Sequence, residues 1–168
     1  ARDECVLFGG FLGGAGGAST IGDTWTFDGA EWHPKLDYVT SSINGNRYAL
    51  TPPMSWQEAE NLAVLEGGHL ATVRNQAEHT WLSAQFNTGN FWIGLSDAAI
   101  EGQWLWSSGE AVTFTSWCPG EPNNAGGTQR YANMNGCTGS SSWDDGGIGS
   151  LRGIVELRGG PVSSVTAA

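Results

Sequence analysis

Residues 117–147 read WCPGEPNNAGGTQRYANMNGCTGSSSWDDGG. The stretch sets Glu121, Asp144 and Asp145 among Gly, Asn and Ser in a chain where only 14% of residues are charged. It has no helical periodicity and offers little that could be buried. It is therefore either a solvated loop with incidental acids or a loop whose shape a cation imposes.

The rest of the composition narrows the setting. Nine Trp, six Phe and three Tyr supply large apolar side chains, enough for a real core in one domain with an appendage or in two very small domains. Twenty-six Gly mark many turns and loops. A formal charge of −10 with seven Lys plus Arg argues against nucleic acid and anionic membrane as partners. No apolar run approaches the roughly 18 residues of a membrane span, and no signal peptide is present. The start at Ala1 reads as a processed chain or a fragment. Three cysteines, Cys5, Cys118 and Cys137, fit an exported protein, secreted or at the cell surface, with one bridge and one spare thiol. Reduced thiols are the alternative.

Residues 1–40 have an all-β pattern. CVLFGG (5–10) is an apolar run stopped by glycines, and a Gly-rich connector follows. DTWTFDGAEW (23–32) alternates Trp25 and Phe27 and, across Asp28-Gly29, reaches Trp32, as a hairpin would. Residues 5–33 resemble a single kelch blade. A propeller needs roughly four to eight blades, so residues 1–40 belong to a longer array, pack on their own domain, or join copies into an oligomer or polymer. A plain decorating hairpin is the simpler alternative.

From Asn44 the pattern changes. SWQEAENLAVLEGG (55–68) predicts a helix with Ser55 and Glu58 as a capping box, Trp56, Ala59, Leu62 and Ala63 inward, and the Gly pair as its stop. NQAEHTWLSAQF (75–86) predicts a second helix capped by Asn75, with Trp81, Leu82 and Phe86 inward. NRYALT, HLATV, FWIGL, QWLW and RGIVEL read as strands. The class is α+β, with a domain over 41–158 and a flexible tail over 159–168.

The ordered set SWQEAE, GGHLATV, FWIGLSD, EGQWLW, EPNN, WDD and GIVEL resembles a C-type lectin-like domain from about residue 43 to 158. The resemblance implies two helices flanking antiparallel sheets and a long loop that holds calcium and sugar. Matched residue by residue, it puts Glu121, Asn123, Gln129, Asp144 and Asp145 on the five ligands of one Ca²⁺, and the first four of these also on a bound sugar. Glu121 and Asn123 flank Pro122, a bond the family makes cis. Gln129 and Asp144 exchange the family's usual Glu and Asn, so three carboxylates and two amides are kept. An oxygen-only set of this kind suits Ca²⁺, which takes six to eight oxygens. At the family's neighbouring second calcium site Asp97 and Glu101 match, but Asn124 and Arg130 replace acids. Arg130 is therefore expected to pair with Asp97 or Glu101 in place of that ion.

The cysteines depart from the family pattern. Ala63 and Val155 stand where it places a helix-to-strand bridge, and Tyr131 at another half-cystine. Cys118 and Cys137 bracket the metal loop, and a bridge between them would contribute about 3 kcal/mol on the chain-entropy account; two separate thiols are the alternative, and Cys5 is left over. His33, His69 and His79 have no metal-ligand spacing, and no nucleophile elbow is present, so no enzyme is expected. The implied function is calcium-dependent glycan binding, on the mannose, glucose or fucose side because Glu precedes Pro-Asn. The alternative is a structural or adhesive subunit of an extracellular assembly, in which calcium only stiffens the loop.

Overall fold

The computed structural model describes residues 6–8, 24–27, 32–138 and 140–159. The chain divides into two compact units, Ala1–Asp37 and Tyr38–Ala168. In the first, β1 (Val6–Phe8), β2 (Thr24–Phe27) and β3 (Trp32–Pro34) form an antiparallel sheet in that order. Phe27 pairs with Trp32, as the hairpin reading expects. Most of the kelch-like stretch, Cys5 included, lies outside the described residues.

Among its described residues the second unit carries eight strands and two α-helices. Its strands are β4 (Val39–Thr40), β5 (Arg47–Leu50), β6 (His69–Leu70), β7 (Phe91–Ser96), β8 (Leu105–Trp106), β9 (Tyr131–Met134), β10 (Trp143–Gly146) and β11 (Arg152–Leu157). The sheet runs β10-β9-β7-β11-β5-β4, with β6 on β11 and β8 on β7. Every pairing is antiparallel except that of β7 with β11. The expected α+β, C-type lectin-like architecture is present.

Both helices begin where their caps predict. In α1 (Trp56–Leu65) Ser55 and Glu58 complete the capping box; in α2 (Gln76–Gln85) Asn75 accepts from the Glu78 amide. Trp56, Ala59, Leu62 and Ala63 are buried, as are Leu82 and Phe86, whereas Trp81 is half-buried against the Tyr48 ring. Ala63 and Val155 are both fully buried. Arg158 and Gly159 are tied down at the expected start of the tail, by Glu110 and by Asn46 Oδ1 respectively.

The loop that opened the reading is not empty of core. Ala132, Met134 and Trp143 are fully buried, and Cys118 is 5% exposed. Tyr131–Met134 is a strand the sequence reading did not see. Four residues, Tyr-Ala-Asn-Met, between Gly- and Asn-rich flanks are too short a run to show a period.

A part-buried ionic network centred on the buried Glu156 locks β11 to the loops around it. Glu156 is 5% exposed; its Oε2 accepts from Thr72 N at 2.8 Å and its Oε1 from Asn46 Nδ2 at 2.6 Å and Arg74 at 2.9 Å. Arg74 also grips Glu110 with two parallel bonds of 2.8 and 2.7 Å. Removing one partner from such a group leaves charge stranded away from water. Arg74→Met is expected to lower unfolding free energy by about 3–5 kcal/mol, read by urea titration.

Candidate metal centre

The site begins with Trp143 at the head of β10. Its ring meets those of Trp106, Phe114 and Trp117 edge-on, with centroids 5.8–5.9 Å away. Each such pair adds about 0.5–1.5 kcal/mol beyond area burial. The indole N–H donates to His79 Nδ1 at 3.3 Å. That Nδ1 is therefore an acceptor, and the ring proton sits on Nε2, 3.2 Å from Ser141 Oγ. Burial lowers the His79 pKa and keeps the ring neutral.

The backbone of Trp143 is held on two sides. Its N–H donates to Ser116 O at 2.7 Å, and its carbonyl accepts from Cys118 N at 2.8 Å. Across the strand, Asp144 and Asp145 lie in register with Asn133 and Ala132 of β9. The segment running on from Cys118 carries Glu121, whose N–H returns to Cys118 O at 3.0 Å. A Cys118–Cys137 disulfide ties this segment to the β9–β10 connection. The Glu121–Pro122 bond is cis.

These constraints bring carboxylate oxygens of Glu121, Asp144 and Asp145 within 4.8 Å of one another. Asp145, 1% exposed, accepts from the amides of Asn123 at 3.0 Å and Asn124 at 2.7 Å. Asn123 Nδ2 donates to Glu121 Oε1 at 2.8 Å. Gln129 Nε2 donates to the Asp145 carbonyl at 2.6 Å, and its Oε1 accepts from Ala125 N. An amide oxygen has two lone pairs, so Gln129 keeps one for a further contact. All five residues singled out in the sequence share this neighbourhood.

The residues fit a hard divalent cation. Glu121 Oε2 is shielded from water and has no hydrogen-bond partner. Burial first, then the carboxylates of Asp145 and Asp144, push the Glu121 carboxyl above its ordinary range; burial and Asp145 do the same to Asp144. An orphaned carboxylate oxygen crowded by two more acids costs free energy that a bound cation would remove.

Beside it, the second group of acids is arranged differently. Arg130 pairs with Glu101, which also accepts from Asn124 Nδ2 at 2.7 Å. Of the two acids offered to Arg130, Glu101 takes the guanidinium. Asp97 does not: it is 1% exposed, its Oδ2 accepts from Gly102 N at 2.8 Å, and its Oδ1 is buried without a partner.

Two residues near the site escaped the sequence reading. Asn133 Nδ2 donates to the Asp144 carbonyl at 3.1 Å. Gly136 packs so tightly on Asp144 that a Cβ there would lie 2.3 Å from the Asp144 Cβ. The Asn135-Gly136 pair is a turn signature that could have pointed to it.

The Lectin C-type domain family model matches residues 52–155. The chain belongs to the C-type lectin domain family. It is 36% identical over 100 residues to Lectin BRA-3 of Megabalanus rosa, covering 58% of this chain and 61% of that one. It is 39% identical over 77 residues to the type-2 ice-structuring protein of Hemitripterus americanus, covering 46% and 47%. Among solved structures it resembles the C-type carbohydrate-recognition domain of cow CD23, in a crystal with a GlcNAc2Man3 oligosaccharide, with a TM-score of 0.64 and 25% identity over 72% of this chain and 92% of that one. The chain spans about three-fifths of the length of BRA-3.

A raised carboxyl pKa favours the folded state while protonated, and that contribution is lost as pH rises through the folded pKa. In chelator, Glu121→Gln should therefore melt above the unsubstituted protein at pH 7, and the gap should close under acid. Gly136→Ala should lower the melting temperature, because Asp144 must move to admit the new methyl group.

Proposed function

We propose that this domain binds glycans in a calcium-dependent manner, with Glu121, Asn123, Gln129, Asp144 and Asp145 holding one Ca²⁺. The observation that carries the reading is the shielded, unpartnered Glu121 oxygen among three converging carboxylates. Calcium bound there would supply open coordination positions for a pair of vicinal sugar hydroxyls. Around it, Glu121, Asn123, Gln129 and Asp144 accept from and donate to those hydroxyls, so that each side chain contacts both ion and sugar. The Glu-Pro-Asn order supports the mannose, glucose or fucose side. The lectin relative and the oligosaccharide present with the cow domain support the glycan class.

The Arg130–Glu101 pair stands in for a second calcium, so one ion binds per chain. The module is a binding protein rather than an enzyme. The Cys118–Cys137 disulfide suits a secreted or cell-surface setting, and among the described residues no helix is long and apolar enough to cross a membrane. Residues 1–40, with their kelch-like pattern, are the segment through which copies would associate, the domain proper running over 41–158.

Single sites of this kind are weak, so a multivalent support gives the clearest readout. Retention on mannose–agarose should require calcium, be lost in chelator, and be lost with Asp145→Ala. Calcium titration should end at one ion per chain; two tight ions would overturn the role given to Arg130. The similarity to an ice-structuring protein favours a second reading, a structural or adhesive role. In that case calcium would raise the melting temperature while mannose and fucose would add nothing.

A further inference from the structure

The sheet has a second polar cleft, lined from β5, β6 and the end of β11. Its volume is about 440 Å³, and Arg47, Arg74, Arg158 and His69 line it. The chain has only seven Lys plus Arg among 168 residues, so three arginines on one small cleft are a strong local concentration. They gather where β5 and β6 flank the last residues of β11. His69 lies opposite Glu156 on one side of β11, and Arg47 opposite Leu157 on the other. Arg158 follows Leu157 directly.

What matters is which groups still have bonds to make. The acids of the cleft are largely spent on the protein itself. Glu156 holds Thr72 N, Asn46 and Arg74, and Glu110 holds both Arg74 and Arg158. Glu66 accepts from Tyr38 Oη at 3.0 Å. The basic side is less committed. Among the described residues Arg47 pairs with no carboxylate; its guanidinium lies 5.3 Å from the Tyr38 ring centroid, a cation–π contact that uses none of its N–H donors. Arg158 has one carboxylate partner, shared with Arg74, and its side chain is 66% exposed.

His69 adds a complementary group. Its Nδ1 lies 2.6 Å from Oε1 of Glu60, a residue 7% exposed. Glu60 Oε2 is fixed in turn by Leu70 N and Ser107 Oγ, both at 2.9 Å. The tautomer that donates through Nδ1 presents a lone pair at Nε2. The free capacity is therefore two guanidiniums for anionic oxygens and one imidazole acceptor for a hydroxyl.

We propose that this cleft is a second binding site, independent of the calcium loop, for a small oxyanion that also carries a hydroxyl. A sugar carboxylate and hydrogen phosphate both meet that description. Arg47 and Arg158 grip the anionic oxygens, and His69 accepts from the hydroxyl. The net charge of −10 opposes long-range attraction, so recognition is short-ranged.

The test is a ¹⁵N NMR titration that follows the arginine Nε–Hε resonances, with chelator present throughout. The probes are sodium glucuronate and inorganic phosphate; the controls are glucose and sodium chloride at matched ionic strength. Saturable shifts of Arg47 and Arg158 with either probe support the site. Glucuronate acting alone identifies a sugar-borne anion, and phosphate acting alone identifies the free ion. Arg47→Gln, and separately Arg158→Gln, should weaken binding at least tenfold with melting temperature unchanged. Equal shifts with chloride or glucose, no shift with either probe, or variants within threefold of the unsubstituted protein would overturn it. Because chelator is present, failure here leaves the calcium reading untouched.

Discussion

The burial of Trp143 is the constraint on which the functional end of this domain depends. Three edge-on aromatic neighbours and the neutral His79 ring fix the indole. Fixing the indole fixes the two residues that follow it, and both are acids. The same residue's backbone clasps Ser116 and Cys118, which delivers Glu121 to Asp144 and Asp145 from a distant part of the chain. A loop rich in Gly and Asn would not hold such a geometry by its own propensities, because its backbone entropy is high. Its order comes from a core residue at its far end and a disulfide across its base.

The charges in this region are treated in two ways. Around Glu121 the acids converge with no paired Lys or Arg among the described residues, and the raised pKa values of Glu121 and Asp144 record that cost. Around Glu101 an arginine of the same chain supplies the positive charge. The two arrangements lie next to each other in sequence, at Gln129 and Arg130. One centre gathers acids, and the other pairs an acid with an arginine of the same chain. At the other end of β11, Arg74 is matched by Glu156 and Glu110, and Arg158 by Glu110, which serves stability, while Arg47 pairs with no carboxylate among the described residues.

The sequence was legible where local chemistry decides structure. Ser55 and Asn75 announced both helices, because a cap is a short-range hydrogen bond. The five oxygen-bearing residues of the candidate centre were readable through family resemblance, which carries the long-range pairing that spacing alone cannot. What stayed hidden was non-local. The strand Tyr131–Met134 gains its order from β7 and β10, and its four residues say little by themselves. Gly136 matters only because Asp144 is folded against it. Glu156 sits in an apolar run, GIVEL, and its role depends on Arg74, which is 82 residues away. The family pattern offers Arg130 either Asp97 or Glu101; Glu101 pairs with it, while Asp97 turns its carboxylate toward its own backbone at Gly102.

A crystal of the calcium-loaded domain, with a lanthanide exchanged in for anomalous scattering, tests the central claim most directly. The account requires a single strong peak enclosed by Glu121, Asp144 and Asp145, with Asn123 and Gln129 oxygens turned toward it. A saturated crystal in which those carboxylates stay apart with no peak between them would contradict it.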